Sequence, residues 1–173
     1  MFRIDNYVEQ WAVKYKPISH NPSKNSKERA FYRIDNIEGT LDLAANISLA
    51  KSPACAVATE MEAQLSHDSN KKVVYTYRIF FMTRQKGASL SQKVIDGLEE
   101  MECKINNDEM VQDFLAYIST DKKNGNRDLC GLDLDTAEWY SAPVKFNNWW
   151  FTVLVLKNLL PRNLCVNPEK YNI

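Results

Sequence analysis

The side chains that most often carry out catalysis are few in this chain and lie in polar segments. His20 and His67 are the two histidines, and each stands among Ser, Asn, Asp or Pro residues that predict a loop. A hydrolase or transferase would need one of them beside a nucleophile and an orienting group, in a site that excludes water. We therefore expect both histidines to be exposed polar residues, and we expect no enzymatic activity.

Two acids in the stretch LDLDT have the spacing of a metal-binding pair. Asp133 and Asp135 would place two carboxylates on the same side of an extended chain. A hard divalent cation needs about six oxygen ligands, and the nearby Asn124, Asn126 and Asp128 do not follow the spacing of a calcium loop. The sequence therefore predicts solvated turn acids and no metal site.

Cysteine and glycine positions argue against other cofactors. The four cysteines lie too far apart for a zinc or redox motif, so they are predicted to be reduced core residues: Cys55, Cys103, Cys130 and Cys165. The five glycines form no phosphate-binding loop. We expect no cofactor and no small-molecule substrate.

Basic residues cluster near the N-terminus. Residues 14–33 include six lysines and arginines against one acid, and Lys24, Lys27 and Arg29 are candidate phosphate contacts. The alternative is a solvated loop, since basic loops are common in soluble proteins. The whole chain has 22 basic and 22 acidic residues and no net field, so DNA contact is expected to be non-specific at most.

Length and composition indicate one folded domain over residues 1–173. The chain is 45% hydrophobic and 25% charged, which is typical of a globular protein. The first residues carry charges among their apolar side chains, unlike a secretory signal, and no stretch reaches the roughly 18 uncharged apolar residues of a membrane span. We expect no membrane contact and synthesis and use in a cytoplasm.

Apolar residues at spacings of three and four predict the helices. Ile4, Val8, Trp11 and Tyr15 indicate one over residues 3–16. A short helix is predicted over 39–51, with Leu41, Ala44, Ala45 and Leu49 inward. Residues 90–119 form either one long kinked helix or two, with these residues inward: Leu90, Val94, Leu98, Met101, Ile105, Val111, Phe114, Leu115 and Ile118.

Alternating and β-branched stretches predict the strands. AFYRIDNI is a short strand, and ACAVATEMEAQL pairs with VVYTYRIFFMTRQ in a β-hairpin whose projecting tip includes His67, Asp68 and Asn70. AEWYSAPV and NWWFTVLVL follow the long helical region. The fold class is α+β: a small, mostly antiparallel sheet packed with helices, with a basic loop at about 17–29 and a C-terminal extension at about 158–173.

The last strand is apolar on both of its faces. One face carries Trp149, Phe151, Val153 and Val155, and the other carries Trp150, Thr152, Leu154 and Leu156. Either helices cover both faces, with the N-terminal helix on one of them, or one face meets another subunit. We expect the helices on the Trp149 face, which has no polar break. Trp150, Thr152 and Leu154, together with the hairpin tip, are then the candidate subunit interface.

This order of elements resembles a known family. A leading helix, a short helix before SPACAVATEMEAQL, a hairpin ending in YTYRIFFMTRQ, a long helix and a last pair of aromatic strands are similar to the tail-terminator and tail-completion proteins of tailed bacteriophages, and to the small ring proteins of the head-to-tail neck. The resemblance covers about residues 1–160 and rests on layout and length. Two features depart from the family pattern: the basic arm SHNPSKNSKER, at residues 19–29, is longer than expected, and the chain adds a C-terminal extension.

The resemblance implies a non-catalytic structural protein of the virion, assembled in the host cytoplasm. Its partners would be further copies of itself in a ring and the neighbouring neck, portal or tail proteins. The alternative is a small nucleic-acid-binding or accessory domain that uses the basic residues near the N-terminus.

Overall fold

The computed structural model describes residues 2–24, 29–35, 51–60, 62–65, 72–85, 93–141 and 148–161. The chain has an α+β fold, as the sequence predicted. Its elements in chain order are α1 (Ile4–Lys14), β1 (Phe31–Ile34), β2 (Ala54–Ala58), β3 (Glu62–Leu65), β4 (Lys72–Arg84), α2 (Lys93–Lys123), a 3-10 turn (Arg127–Leu129), β5 (Leu132–Ser141) and β6 (Trp149–Pro161). The short helix predicted over 39–51 lies outside the described residues, apart from Lys51.

The strands of the described residues form one six-stranded sheet. Their order is β1-β2-β4-β6-β5, and β3 pairs with the first half of β4. The β1–β2 pair is parallel and the other pairs are antiparallel, so the prediction of a mostly antiparallel sheet is confirmed. The predicted hairpin is also confirmed, since Glu62 pairs with Thr76 and Leu65 with Val73. Its tip lies outside the described residues.

Helix α1 is held by the apolar stripe that predicted it. Ile4, Val8 and Trp11 are buried, and the helix ends at Lys14, before Pro17. The Trp11 ring packs edge-on against Phe81 of β4 and Phe114 of α2, with centroid distances of 5.8 and 5.0 Å. These aromatic contacts bring both helices onto one face of the sheet, which we call the helix face.

The helix face is the one that carries Trp150, and the opposite assignment from the sequence was wrong. Phe81 pairs with Thr152 in register, and directly paired residues share a face. Asn107 of α2 donates to the carbonyl of Trp150 at 2.9 Å. The expectation that α1 covers the other face was also wrong. Trp150, Thr152 and Leu154 lie under the chain's own helices, so their predicted place in a subunit interface does not fit their burial.

The opposite face of β6 is buried as well. Trp149, Phe151 and Val153 are at most 6% exposed. The strand is therefore central and apolar on both faces, as its sequence predicted. Apolar content shows that both faces are covered, but it does not show which of them the helices take.

Helix α2 is one continuous helix, which decides between the two alternatives that the sequence left open. Val111, Phe114 and Ile118 are buried as predicted. Met101 and Ile105 were predicted inward but are 60% and 48% exposed. The buried positions of this half are instead Cys103, Asn107 and Met110, because a polar residue that hydrogen-bonds to the sheet occupies the inward face.

Several boundaries differ from the prediction. The first hairpin strand is divided into β2, buried at all five positions, and β3, exposed at all four. After β2 the chain stays beside β1, where Thr59 N–H donates to the Ile34 carbonyl at 2.7 Å. Strand β6 continues to Pro161, so residues 158–161 belong to the sheet rather than to an extension. Cys55 and Cys103 are buried, but Cys130 is exposed, contrary to its predicted place in the core; Cys165 lies outside the described residues.

Candidate functional site

Two of the residues proposed from the sequence as phosphate contacts lie together in the structure, where Arg29 Nε donates to the Lys24 carbonyl. Lys24 and Arg29 are exposed at the β1 edge of the sheet, whereas Lys27 lies outside the described residues. His67, Asp68 and Asn70 lie outside them too. The acids Asp133 and Asp135 belong to strand β5 rather than to a turn, with Asp133 half-buried and Asp135 exposed.

The structure forms a cleft beside β1 that the sequence analysis did not identify. Its volume is about 380 Å³. Three parts of the chain form its walls: α1, the segment after it, and β1, which is held in place by its pairing with β2. The lining residues are Glu9, His20, Pro22, Arg29, Phe31, Tyr32 and Arg33. Phe31 pairs with Cys55, and Cys55 with Phe81, so the Phe31 and Arg33 side chains lie on the helix face.

Arg33 is the centre of a charge network that ties β1 to α1. Its Nε donates to Asp5 Oδ2 at 2.8 Å, and its Nη2 donates to Glu9 Oε2 at 2.7 Å and to Asn6 Oδ1 at 3.1 Å. The guanidinium also lies over the Phe31 ring, 5.1 Å from its centroid. Arg33 is thereby held in one orientation along the cleft wall.

Asp5 is the most strongly perturbed acid of this network. Burial alone would raise the pKa of its carboxyl group, but hydrogen bonds from Arg3 and Arg33 lower that pKa to about 2. Asp5 is therefore ionised over the whole range in which most proteins are folded. It fixes α1 against β1 with charge-assisted hydrogen bonds.

His20 is buried, and the prediction that it is an exposed polar residue was wrong. Its Nδ1 accepts a hydrogen bond from Ala30 N–H at 3.2 Å, so the neutral ring carries its proton on Nε2, which lies 3.6 Å from Glu9 Oε1. Burial lowers the pKa of His20, and Glu9 opposes this effect. No local sequence pattern indicated that His20 is buried, because its hydrogen-bond donor Ala30 belongs to a different segment of the chain.

The second exposed feature lies at the other end of the sheet. Strand β5 is the end strand beside β6, and its Trp139 and Tyr140 are 42% and 49% exposed. Trp139 pairs with Leu154 and therefore lies on the helix face. The strand sequence LDLDTAEWYS has three acids and no basic residue, and Asp135 and Glu138 are exposed.

The chemistry available at the cleft is recognition through charge and aromatic contact. Its lining combines two guanidiniums with two aromatic rings and a histidine that is hydrogen-bonded on one side. Within the described ranges no three His, Cys, Asp or Glu residues are grouped closely enough to hold a metal ion. In the same part of the chain, neither helix is both long and apolar enough to cross a membrane.

No model of a known protein family matches the chain, and a search of curated proteins finds no match either.

Proposed function

We propose that this protein is a non-catalytic structural subunit that assembles into a homo-oligomeric ring, of the kind found in the head-to-tail neck or the tail of tailed bacteriophages. Its partners are further copies of itself and the adjoining neck, portal or tail proteins, and its place is the virion. The order of helices and strands along the chain supports the assignment to this kind of phage protein.

The observation that carries the assembly part is the end strand β5. An end strand with exposed aromatic side chains favours association with another chain. Trp139 and Tyr140 are the kinds of side chain that dominate contact energies, and both remain nearly half exposed in the single chain. Identical subunits joined by two different surfaces close into a ring when the rotation between them allows it.

The test is the mass of the purified protein. Sedimentation velocity and native mass spectrometry should show one species at an integer multiple of the 20.0 kDa chain. Raising the protein concentration should increase the amount of that species without forming larger ones, because a closed ring leaves no contact surface free. Negative-stain microscopy should then show rings with a central channel, and labelled antibody should mark the head-to-tail junction of purified virions.

Two results would contradict the proposal. A protein that stays monomeric at every concentration tested has no ring-forming contact. Labelling absent from the virion, with rings present, would keep the assembly and remove the phage assignment.

The second candidate is a nucleic-acid-binding domain, which is favoured by one observation. Lys24 and Arg29 are exposed at the same edge of the sheet, where phosphate groups could reach them. Salt-dependent DNA binding separates this candidate from the first.

A further inference from the structure

We propose that the cleft beside β1 receives Trp139 from strand β5 of a second copy of this chain. The inference rests on the proposed function, since it assigns the two surfaces through which neighbouring subunits of the ring would join. The donor surface is the exposed end strand β5, and the acceptor is the cleft lined by Arg29, Phe31 and Arg33.

The two surfaces lie at opposite ends of one sheet and cannot meet within a single chain. Four strand-to-strand steps separate β1 from β5 in the sheet order, which corresponds to about 19 Å at the usual strand spacing. Contact between them therefore joins two copies head to tail. A heterologous contact of this kind is the one that generates rings.

The faces of the sheet agree with this arrangement. Strands β1 and β5 run in opposite directions, so when β5 of one copy lies antiparallel to β1 of the next, the helix faces of the two sheets are on the same side. Trp139 lies on that face, and so do the Phe31 and Arg33 side chains of the cleft wall. Tyr140, its neighbour on β5, points to the other face. Trp139 is thus the aromatic residue that is aligned with the cleft.

Charge supports the same pairing. Strand β5 has three acids and no basic residue, and its exposed acids Asp135 and Glu138 make no ion pair within the described part of the chain. Glu138 pairs with Val155 and so points to the face opposite Trp139; its charge therefore acts along the shared edge and not inside the cleft. At the cleft, Arg29 is exposed and makes no ion pair with a described carboxylate; its Nε donates to the Lys24 carbonyl. Complementary charges on two surfaces of one chain guide their encounter and fix their register.

The volume of the cleft is sufficient for an indole ring, and its exposed wall is mainly polar, since Phe31 is buried beneath Arg33. Its 380 Å³ lies within the range of about 300–1,000 Å³ typical of pockets that enclose a ligand group. A guanidinium and aromatic rings are the partners that tryptophan takes in cation–π and edge-on contacts. A standard interface buries about 800 Å² on each partner, which exceeds what one side chain can supply, so residues around Trp139 on β5 must also take part in the contact.

The experiment uses charge reversal at each surface of the full chain. One variant carries Asp135→Lys and Glu138→Lys, and another carries Lys24→Glu and Arg29→Glu. All four side chains are exposed, so the fold should survive, which circular dichroism and thermal melts check for each variant. The matched controls are Glu102→Lys for charge and Met101→Ala for the loss of an exposed apolar side chain, both on α2.

Each reversed variant alone should associate at least about tenfold more weakly than the unmodified chain in sedimentation velocity, because the two meeting edges then carry charges of the same sign. Trp139→Ala should weaken association as much, whereas both controls should leave it unchanged. Mixing the two reversed variants should restore assembly, since the altered β5 of one then meets the altered cleft of the other. A chain with all four reversals should also assemble.

The outcomes separate this inference from the proposed function. If the unmodified chain forms a ring that neither reversal nor Trp139→Ala weakens, the pairing of β5 with the cleft is wrong and the ring stands. Weakened variants that fail to rescue each other would also overturn the pairing, because the two surfaces would then contact other sites. A monomeric unmodified chain would overturn both proposals.

Discussion

Single residues in this protein act mainly by fixing one element against another. Arg33 gives one hydrogen bond to Asp5 and one to Glu9, and Asp5 also accepts from Arg3. A charged group that is removed from water is stabilising only when such partners replace the lost hydration. Asp5 is 7% exposed, so its interactions with arginine are screened less than those of a surface pair.

The Asp5→Asn variant should be less stable than the natural chain by about 1–2 kcal/mol at pH 7. The pKa of Asp5 is about 2 in the folded chain, below its ordinary value of 3.8. The folded state therefore binds fewer protons, and the stabilisation is complete above about pH 4 and is lost as the pH falls towards 2. Urea denaturation at a series of pH values should show the difference between variant and natural chain shrinking over that interval.

Asp35→Asn is the control for this experiment, because Asp35 is exposed just after β1. It should change the free energy of unfolding little at any pH. A difference for Asp5→Asn that is the same at pH 7 and near pH 2 would mean that the carboxylate charge has no part in its effect.

At the scale of elements, the contact of α2 with the sheet depends on one buried amide. Asn107 is fully buried, its Oδ1 accepts from Thr83 Oγ1 at 2.7 Å, and its Nδ2 donates to the Trp150 carbonyl at 2.9 Å. The side chain therefore joins the helix to β4 and β6 at once. Lys104, one turn earlier, lies over the Trp150 ring at 4.8 Å from its centroid.

Asn107→Ala should lower the free energy of unfolding by about 2–4 kcal/mol, because it leaves the Thr83 hydroxyl and the Trp150 carbonyl without this partner in a buried place. Asn106→Ala, at the exposed neighbouring position, should change it by no more than about 0.5 kcal/mol. Chemical denaturation of the two variants under the same conditions measures both values. Equal effects would show that the amide acts through helix propensity alone.

The burial of Asn107 explains why the sequence predicts some helices and strands better than others. Strong periodicity was sufficient for α1, for β4 and for the second half of α2, where Val111, Phe114 and Ile118 are inward as expected. It failed around Met101 and Ile105, since a rule that turns apolar residues inward cannot anticipate a buried asparagine. The cleft was beyond prediction for a related reason: Glu9, His20 and Arg33 meet only through tertiary packing.

At the scale of the whole molecule, the absence of a net charge limits how strongly the basic residues can attract a polyanion. The 22 basic and 22 acidic side chains leave no net field that attracts a polyanion, so binding depends on a few local contacts. Lys24 and Arg29 are the proposed contacts, and Arg33 beside them is already paired with two carboxylates.

Duplex DNA should therefore bind weakly and without sequence preference, with an affinity that falls as salt rises by a logarithmic slope no steeper than about −3. Changing Lys24 and Arg29 to alanine should remove most of this binding. The matched control changes Lys123 and Arg127, which are equally exposed, and should retain it. Nanomolar, sequence-selective binding that persists at high salt, measured by fluorescence anisotropy, would instead favour the nucleic-acid-binding candidate.

The pairing of β4 with β6 also determines when the sheet can be completed during synthesis. Lys72 pairs with Pro161 and Arg84 with Trp149, and the whole of α2 and β5 lies between these strands in the chain. The ribosome must therefore release residue 161 before the two longest strands can align. Until then β4 has only β2 and β3 as its neighbours, its other edge lacks β6, and α2 lacks its hydrogen bond to the Trp150 carbonyl. Closing the intervening loop costs chain entropy in advance of any gain. Formation of the sheet is accordingly expected to be slow and to wait until residue 161 has left the ribosome, with the β6 edge of β4 exposed to chaperones in the interval.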